Sequence, residues 1–395
     1  MSLDQLRAQI TKDAQGLEHY LIDLRRTFHR YPETMYEEFK TAERIFAELS
    51  KMGYNPISAA KTGVIASISG ENPGPTVALR ADIDALNVIE ENKDLEYHST
   101  IPGKMHACGH DAHMAMLLGA ARLLQKYVKD VKGTVKLIFQ PAEEGGGGGK
   151  RIVDEGHIND VDAIFGIHVW GTLPSGTIAT IPEMMASADF FRVIVKGRGG
   201  HAASPHLTVD PTAVLVDIYN ALQKVCTREI TPFQPVVIST PDISASKAHN
   251  VIPPIAIMKG TFRTMDPEVR NHIIARIPQI VEGYCTAWRC DGEVIFNEGD
   301  MIPYPPVINH PEAIAKLKVV LNGFESVESM QPTMGAEDFA FYLERIKGCF
   351  MALGVYNEEK GTIYPTHHPK FDVDESILWK GTAVHALLGL LYSKV

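Results

Sequence analysis

From its start to about residue 180 the chain alternates strand-length and helix-length signals, and this alternation narrows the fold more than any other feature. The first fifty residues read as helix, with Leu17, Tyr20, Leu21, Leu24 and Phe28 recurring at three- and four-residue steps. Pro32 stops that helix, and a second runs to Gly53. Short, partly β-branched runs follow at 63–69 and 76–83, then a helical stretch at 113–128, then further strand signals at 134–144 and 163–169. Strands and helices in turn indicate an α/β domain built on a largely parallel sheet.

Near Pro182 the order changes to strand, helix, strand, strand, helix, strand. The strands open near Phe190, Pro235, Ile255 and Gly292, and the helices near Asp210 and Glu268. That is the split βαβ pattern of a small ferredoxin-like α+β domain, expected over 186–298. It reads as an insertion between two segments, 1–185 and 299–395, of one larger α/β domain. A length of 395 residues suits two domains.

Charge and cysteine use exclude several classes of function. With 38 basic against 48 acidic residues, a net charge of −10 and no basic run, nucleic acid and anionic membranes are not expected partners. No apolar stretch approaches the roughly 18 residues of a membrane span. The opening MSLDQLRAQITKDAQ does not read as a signal peptide, so a cytoplasmic address is expected. Five cysteines without a C-x-x-C spacing argue against a disulfide framework or a zinc ribbon.

Chemistry concentrates at 105–113, where His106, Cys108, His110, Asp111 and His113 crowd into nine residues. A thiolate and an imidazole two residues apart can both bind a borderline metal ion, and Asp111 is placed to fix a histidine tautomer. The bland alternative is a polar loop around one buried cysteine. Glu143 and Glu144 end an apolar strand, where sites in open α/β sheets gather. Adjacent carboxylates can divide metal binding from base catalysis, although such a pair is more often solvated. The glycines at 145–149 do not make a phosphate loop, since Glu144 and Arg151 occupy two of its required positions. His168 on a strand reads alone as a core histidine, and His367-His368 is ambiguous alone. Together these groups supply donors for two ions. In the smaller domain His201 sits on a glycine turn, and Arg263 ends a strand where a guanidinium can clamp a carboxylate or simply cover a sheet face.

These segments bring a family into view. MHACGHDAHMAMLLGAA, FQPAEEGGGGGKRIVDEG, FGIHVW, GRGGHAASPH, AHNVIPP with GTFR, MGAEDFAFYL and HHPKF occur in that order. The series resembles the M20 metallopeptidase family, in its amidohydrolase branch of N-acyl-amino-acid deacylases (aminoacylases), hippurate hydrolases and plant auxin-conjugate hydrolases. The likeness runs from about residue 20 to 385. It implies a larger metal-binding catalytic domain and a smaller lid or dimerisation domain, with a homodimer or higher homo-oligomer as the assembly. It implies two divalent ions, zinc first, with manganese, cobalt or nickel as alternatives, held by Cys108, His110, Glu144, His168 and His367. His367 is preferred to His368 because the branch pattern is H-x-P-x-F.

Glu143 matches the general base, and metal-bound water the nucleophile. His201 matches a histidine that, in related dimers, reaches the neighbouring site, while Asn250 and Arg263 match substrate-anchoring groups. Asn87 and Pro254 depart from the branch pattern beside motif residues, which bears on substrate preference. The implied reaction is hydrolysis of the amide of a small-molecule N-acyl amino acid. The runner-up is a metallo-dipeptidase or carboxypeptidase on the same scaffold, and a non-catalytic binding protein is the rival from another class.

Overall fold

The structure, a computed structural model, describes residues 2–299 and 302–395. It divides into two compact units, Met1–Met184 with Ile308–Gln331 and Asp338–Val395, and Met185–Val307 with Pro332–Glu337.

In the first unit eight strands form one mixed sheet. Their order is Ile57–Ala59, Gly63–Ser69, Lys132–Gln140, Asn72–Asp82, Ala163–Pro174, Lys347–Tyr356, Ile178–Ala179 and Val327–Glu328. The four central strands, from Lys132–Gln140 to Lys347–Tyr356, run parallel. Antiparallel pairs flank them on both sides. Three of the central strands are buried along most of their length and Asn72–Asp82 over its second half, as expected of parallel strands covered on both faces. Helix His110–Lys126 and helix Leu378–Leu391 pack on each other, and both are buried almost all round. Such helices belong to a core rather than a surface. Among the described residues no helix is long and apolar enough to cross a membrane.

The second unit carries a four-stranded antiparallel sheet in the order Val236–Ser244, Ile255–Thr264, Asp189–Lys196, Asp291–Phe296. Helices Pro211–Lys224 and Pro267–Trp288 pack on it and on each other around an apolar core of their own. The compact unit continues past residue 298 because Ala188 and Tyr304 exchange both backbone hydrogen bonds at 2.9 Å. It takes in Pro332–Glu337 because the amide of Ala186 donates to the carbonyls of Thr333 and Gly335.

Helix Glu18–Arg30 plants Arg25 in a buried ionic cluster of the first unit. The guanidinium donates to Asp111 at 2.8 Å, Asp372 at 2.6 Å and Glu375 at 3.2 Å. Beside it His29 has one ring nitrogen 2.7 Å from Asp111 and the other 3.2 Å from Glu90. Burial and the Arg25 charge would depress His29, but Asp111 and Glu90 outweigh them and lift it to about 9. A histidine raised in the folded state stabilises fully below its unfolded value near 6.5, and loses that contribution as pH rises through 9. The Tm gap between wild type and His29→Gln should therefore be widest near pH 6.5 and close by about pH 9. A gap constant across that range would show that His29 is neutral in the fold.

Candidate metal centre

The site lies where the parallel strands end. Asn72–Asp82 runs into Ile83-Asp84, Lys132–Gln140 runs into Pro141–Glu144, and His168 sits within Ala163–Pro174. Helix His110–Lys126 starts against them through Gly109, whose φ is 89°. A Cβ there would lie 2.2 Å from Val169 Cγ2, so only glycine lets the helix start press onto the His168 strand. Cys108 Sγ comes within 3.4 Å of His168 Nε2 as a result. His367 enters from the C-terminal segment, where its amide donates to Ala107 O at 2.7 Å. Its φ of 68° is a left-handed conformation, strained for a residue with a Cβ. Its Nε2 lies 3.3 Å from Cys108 Sγ and 3.3 Å from Glu144 Oε1.

The five expected ligands thus fall into groups whose donor atoms all lie within 4.8 Å of one another. Cys108, His110 and His168 form one, and Cys108, Glu144 and His367 another. His110, Glu143 and Glu144 meet the same criterion. Cys108 belongs to the first two groups, so the donors make two clusters that share one sulfur.

Hydrogen bonds settle which ring nitrogens face inward. His110 Nδ1 donates to Asp84 O at 2.7 Å and His168 Nδ1 to Val169 O at 2.6 Å, so Nε2 is the ring nitrogen each turns to the cluster. His110 Nε2 is buried without a hydrogen-bond partner, and Glu144 Oε1 meets only the His367 ring at 3.3 Å. Such donors, mixed in S, N and O character, fit a borderline divalent cation.

Electrostatics agree in sign. Burial would depress His110, but Asp82, Asp84 and Glu144 outweigh it and lift it to about 10. Burial, then the Glu144 and Glu143 carboxylates, push the Cys108 thiol well up. Burial likewise holds His168 well below its usual range, helped by His113. A pocket with this excess of negative charge favours a cation.

Other side chains here carried no sequence signal of their role. The Asp84 carboxylate accepts the amides of Glu143 and Glu144, both at 3.0 Å, and so holds the backbone of the paired glutamates. Glu38 accepts the amide of Ala142 at 2.9 Å. Burial, then Asp84, push the Glu38 carboxyl up to about 7. His113 pairs with Asp82 through Nδ1 and accepts the amide of Val169 at 2.8 Å, which ties the helix to the His168 strand. Asp111 does not fix the tautomer of a cluster histidine: its carboxylate faces Arg25 and His29, and the carbonyls of Asp84 and Val169 do that work.

The remaining sequence candidates lie in the second unit. His201 is exposed on the short strand Gly200–His201, paired with Val251–Ile252. Its Nδ1 accepts the amide of Ala203 at 3.1 Å, which leaves Nε2–H as an outward donor. Asn250 is exposed next to it, its carbonyl accepting the amide of Ala202. Arg263, on Ile255–Thr264, is half-buried, and its guanidinium makes no hydrogen bond or ion pair among the described residues. The nearby Asp189 is engaged on both carboxylate oxygens by Arg270.

Comparison with known proteins places this geometry. Residues 78–390 match the model of Peptidase family M20/M25/M40. Thermostable carboxypeptidase 1 of Saccharolobus solfataricus is 42% identical over 390 residues, covering 98% of each chain. N-acetyl-L-cysteine deacetylase of Bacillus subtilis is 39% identical, over 93% of this chain and 86% of that protein. The crystal structure of the Bacillus subtilis YXEP protein, described as a dinuclear metal-binding peptidase of the M20 family, superposes with a TM-score of 0.83 at 33% identity. It covers 96% of this chain and 99% of that one. The donor cluster and these likenesses converge: the chain belongs to the M20 peptidase family, in its amidohydrolase branch, and is a metal-dependent hydrolase.

Proposed function

We propose that the enzyme hydrolyses the amide bond of N-acyl amino acids, releasing a carboxylic acid and a free amino acid. The observation that carries this reading is the pair of donor clusters sharing Cys108, with Glu143 beside them. Cys108, His110, Glu144, His168 and His367 would hold two divalent ions, with zinc favoured and manganese, cobalt or nickel compatible. Bound there, the ions supply Lewis acidity that polarises the scissile carbonyl and acidifies water. Glu143 takes the proton from the attacking water and returns it to the leaving amine, the usual duty of a carboxylate in general acid–base catalysis. His201, with Nε2–H free to donate, supports the developing oxyanion. Asn250 orients the substrate, and Arg263 receives the carboxylate of the amino-acid half. A half-buried guanidinium with no hydrogen-bonded anion supports that last assignment, because the nearby Asp189 is already held by Arg270.

A carboxypeptidase reading is favoured by the 42% identical relative of that name. It asks the same of Arg263, since a carboxypeptidase also cleaves next to a free carboxylate, and the two readings differ only on the acyl side. Release of free amine from N-acetyl, N-benzoyl and longer N-acyl amino acids, measured beside free and N-blocked dipeptides, separates them. Turnover confined to peptides would overturn the acyl-amino-acid reading. Arg263→Ala should raise KM roughly 10- to 100-fold with a smaller change in kcat, the loss of one charge-assisted pair of about 1.5–3 kcal/mol. An unchanged KM would remove the carboxylate clamp.

A further inference from the structure

We propose that Glu38 is a positioning residue for the reaction: its carboxylate pins the left-handed backbone of Ala142 and thereby fixes the aim of Glu143. The inference rests on the role assigned above to Glu143. Glu38 is fully buried, and no basic side chain pairs with it among the described residues. One oxygen accepts the amide of Ala142 at 2.9 Å and the other the hydroxyl of Thr62 at 2.6 Å. A buried acid without a basic partner costs more stability than it returns, which points to a role other than stability. Nor does it serve its own helix, because Glu38 stands at the N-cap of Phe39–Lys51 and its side chain makes no capping bond.

Backbone strain gathers around this carboxylate. Among the described residues seven non-glycine residues have positive φ, and four belong to the Glu38 surroundings. Tyr36 (58°) lies two positions before it, Ala60 (46°) and Lys61 (73°) lead directly into Thr62, and Ala142 (53°) is its amide partner. Each left-handed alanine or larger residue costs on the order of 1 kcal/mol and persists only when its surroundings hold it. At Ala142 the holding groups are Glu38 on the amide and the amide of Gly148 on the carbonyl, at 3.2 Å. The next two amides, of Glu143 and Glu144, go to Asp84. Three successive amides are thus held by two buried carboxylates. Asp84 grips both glutamates, whereas Glu38 acts only on the turn that precedes the base.

The test compares Glu38→Gln, which keeps an acceptor oxygen for the Ala142 amide, with Glu38→Met, which fills a similar volume without one. Glu38→Met should lower kcat roughly 100-fold, the usual consequence of moving a reacting group by about 1 Å, with KM within about threefold and metal content unchanged. Glu38→Gln should stay within about fivefold of wild type. Adding Ala142→Gly to Glu38→Met should recover at least about tenfold, because glycine holds the left-handed turn without the clamp. Equal losses in Gln and Met, wild-type kcat in Met, a fall in metal content that accounts for the loss, or no recovery with Ala142→Gly would each overturn the proposal. If Glu38→Met does not fold, hydrogen exchange across 140–146 is compared with kcat in wild type and Glu38→Gln. Faster exchange with unchanged kcat overturns the proposal, and the two moving together or both holding supports it. Glu143→Gln separates this inference from its parent. If that variant is active the parent reading fails, and if it is inactive while Glu38→Met is fully active only the inference does.

Discussion

Glu143→Gln should yield a folded protein that keeps its metal ions and turns substrate over about 10³-fold more slowly, or worse. General acid–base catalysis by a placed side chain contributes typically 10²–10⁴-fold, and a single carboxylate here is asked both to accept and to return the proton. The substitution is nearly isosteric, and Asp84 grips the Glu143 and Glu144 amides rather than their side chains, so the turn survives. The five proposed ligands are also untouched. Single-turnover release of amine, with metal content measured on the same sample, checks this. A rate within about tenfold of wild type would show that another group moves the proton.

Cys108→Ala should cost the protein both ions, whereas His367→Ala should cost it one. Cys108 is common to two three-donor clusters, so its loss reduces each to two protein donors, while His367 belongs to only one of them. After dialysis against metal-free buffer and equilibration with limiting zinc, Cys108→Ala should bind almost none and His367→Ala about one equivalent. Both should lose at least about 10³-fold in kcat/KM. Stability offers an independent reading. Chelation should lower the wild-type Tm, since ions that bind only the folded state stabilise it, and that response should vanish in Cys108→Ala. Two tightly bound ions in Cys108→Ala would break the two-cluster arrangement.

The residues proposed to carry the chemistry announce themselves in the sequence because their types are rare in such density. A cysteine and three histidines within eight residues, or paired glutamates closing an apolar strand, stand out without a structure. The parallel core is equally legible, since strands buried on both faces leave continuous apolar runs such as Leu137-Ile138-Phe139 and Ile164-Phe165. What stays hidden is the layer that orients these groups. Glu38 and Ala142 are 104 residues apart, and nothing in the EEF of an amphipathic helix start marks one glutamate as an acceptor for a distant backbone amide. Asp84 is similar, for a carboxylate used by two backbone amides leaves no trace in the side chains it serves. Asp111 shows the opposite error. Its place beside His110 suggests a partnership, but a residue at the start of a helix points away from its sequence neighbour, here toward Arg25 and His29.

The larger unit is interrupted in sequence: the chain leaves it after Met184 and returns at Ile308. Strand Lys347–Tyr356 then inserts between Ala163–Pro174 and Ile178–Ala179, and helix Leu378–Leu391 fills the core beside His110–Lys126. During synthesis, therefore, the nearly contiguous smaller unit can fold while the larger one still lacks an interior strand and a buried helix. His367 is synthesised only after the chain has returned to the larger unit. A nascent chain meanwhile exposes the apolar faces of Ala163–Pro174 and His110–Lys126 and a donor cluster that is only half assembled. The same late segment closes both, so a chain stopped before it would need a chaperone rather than a metal ion.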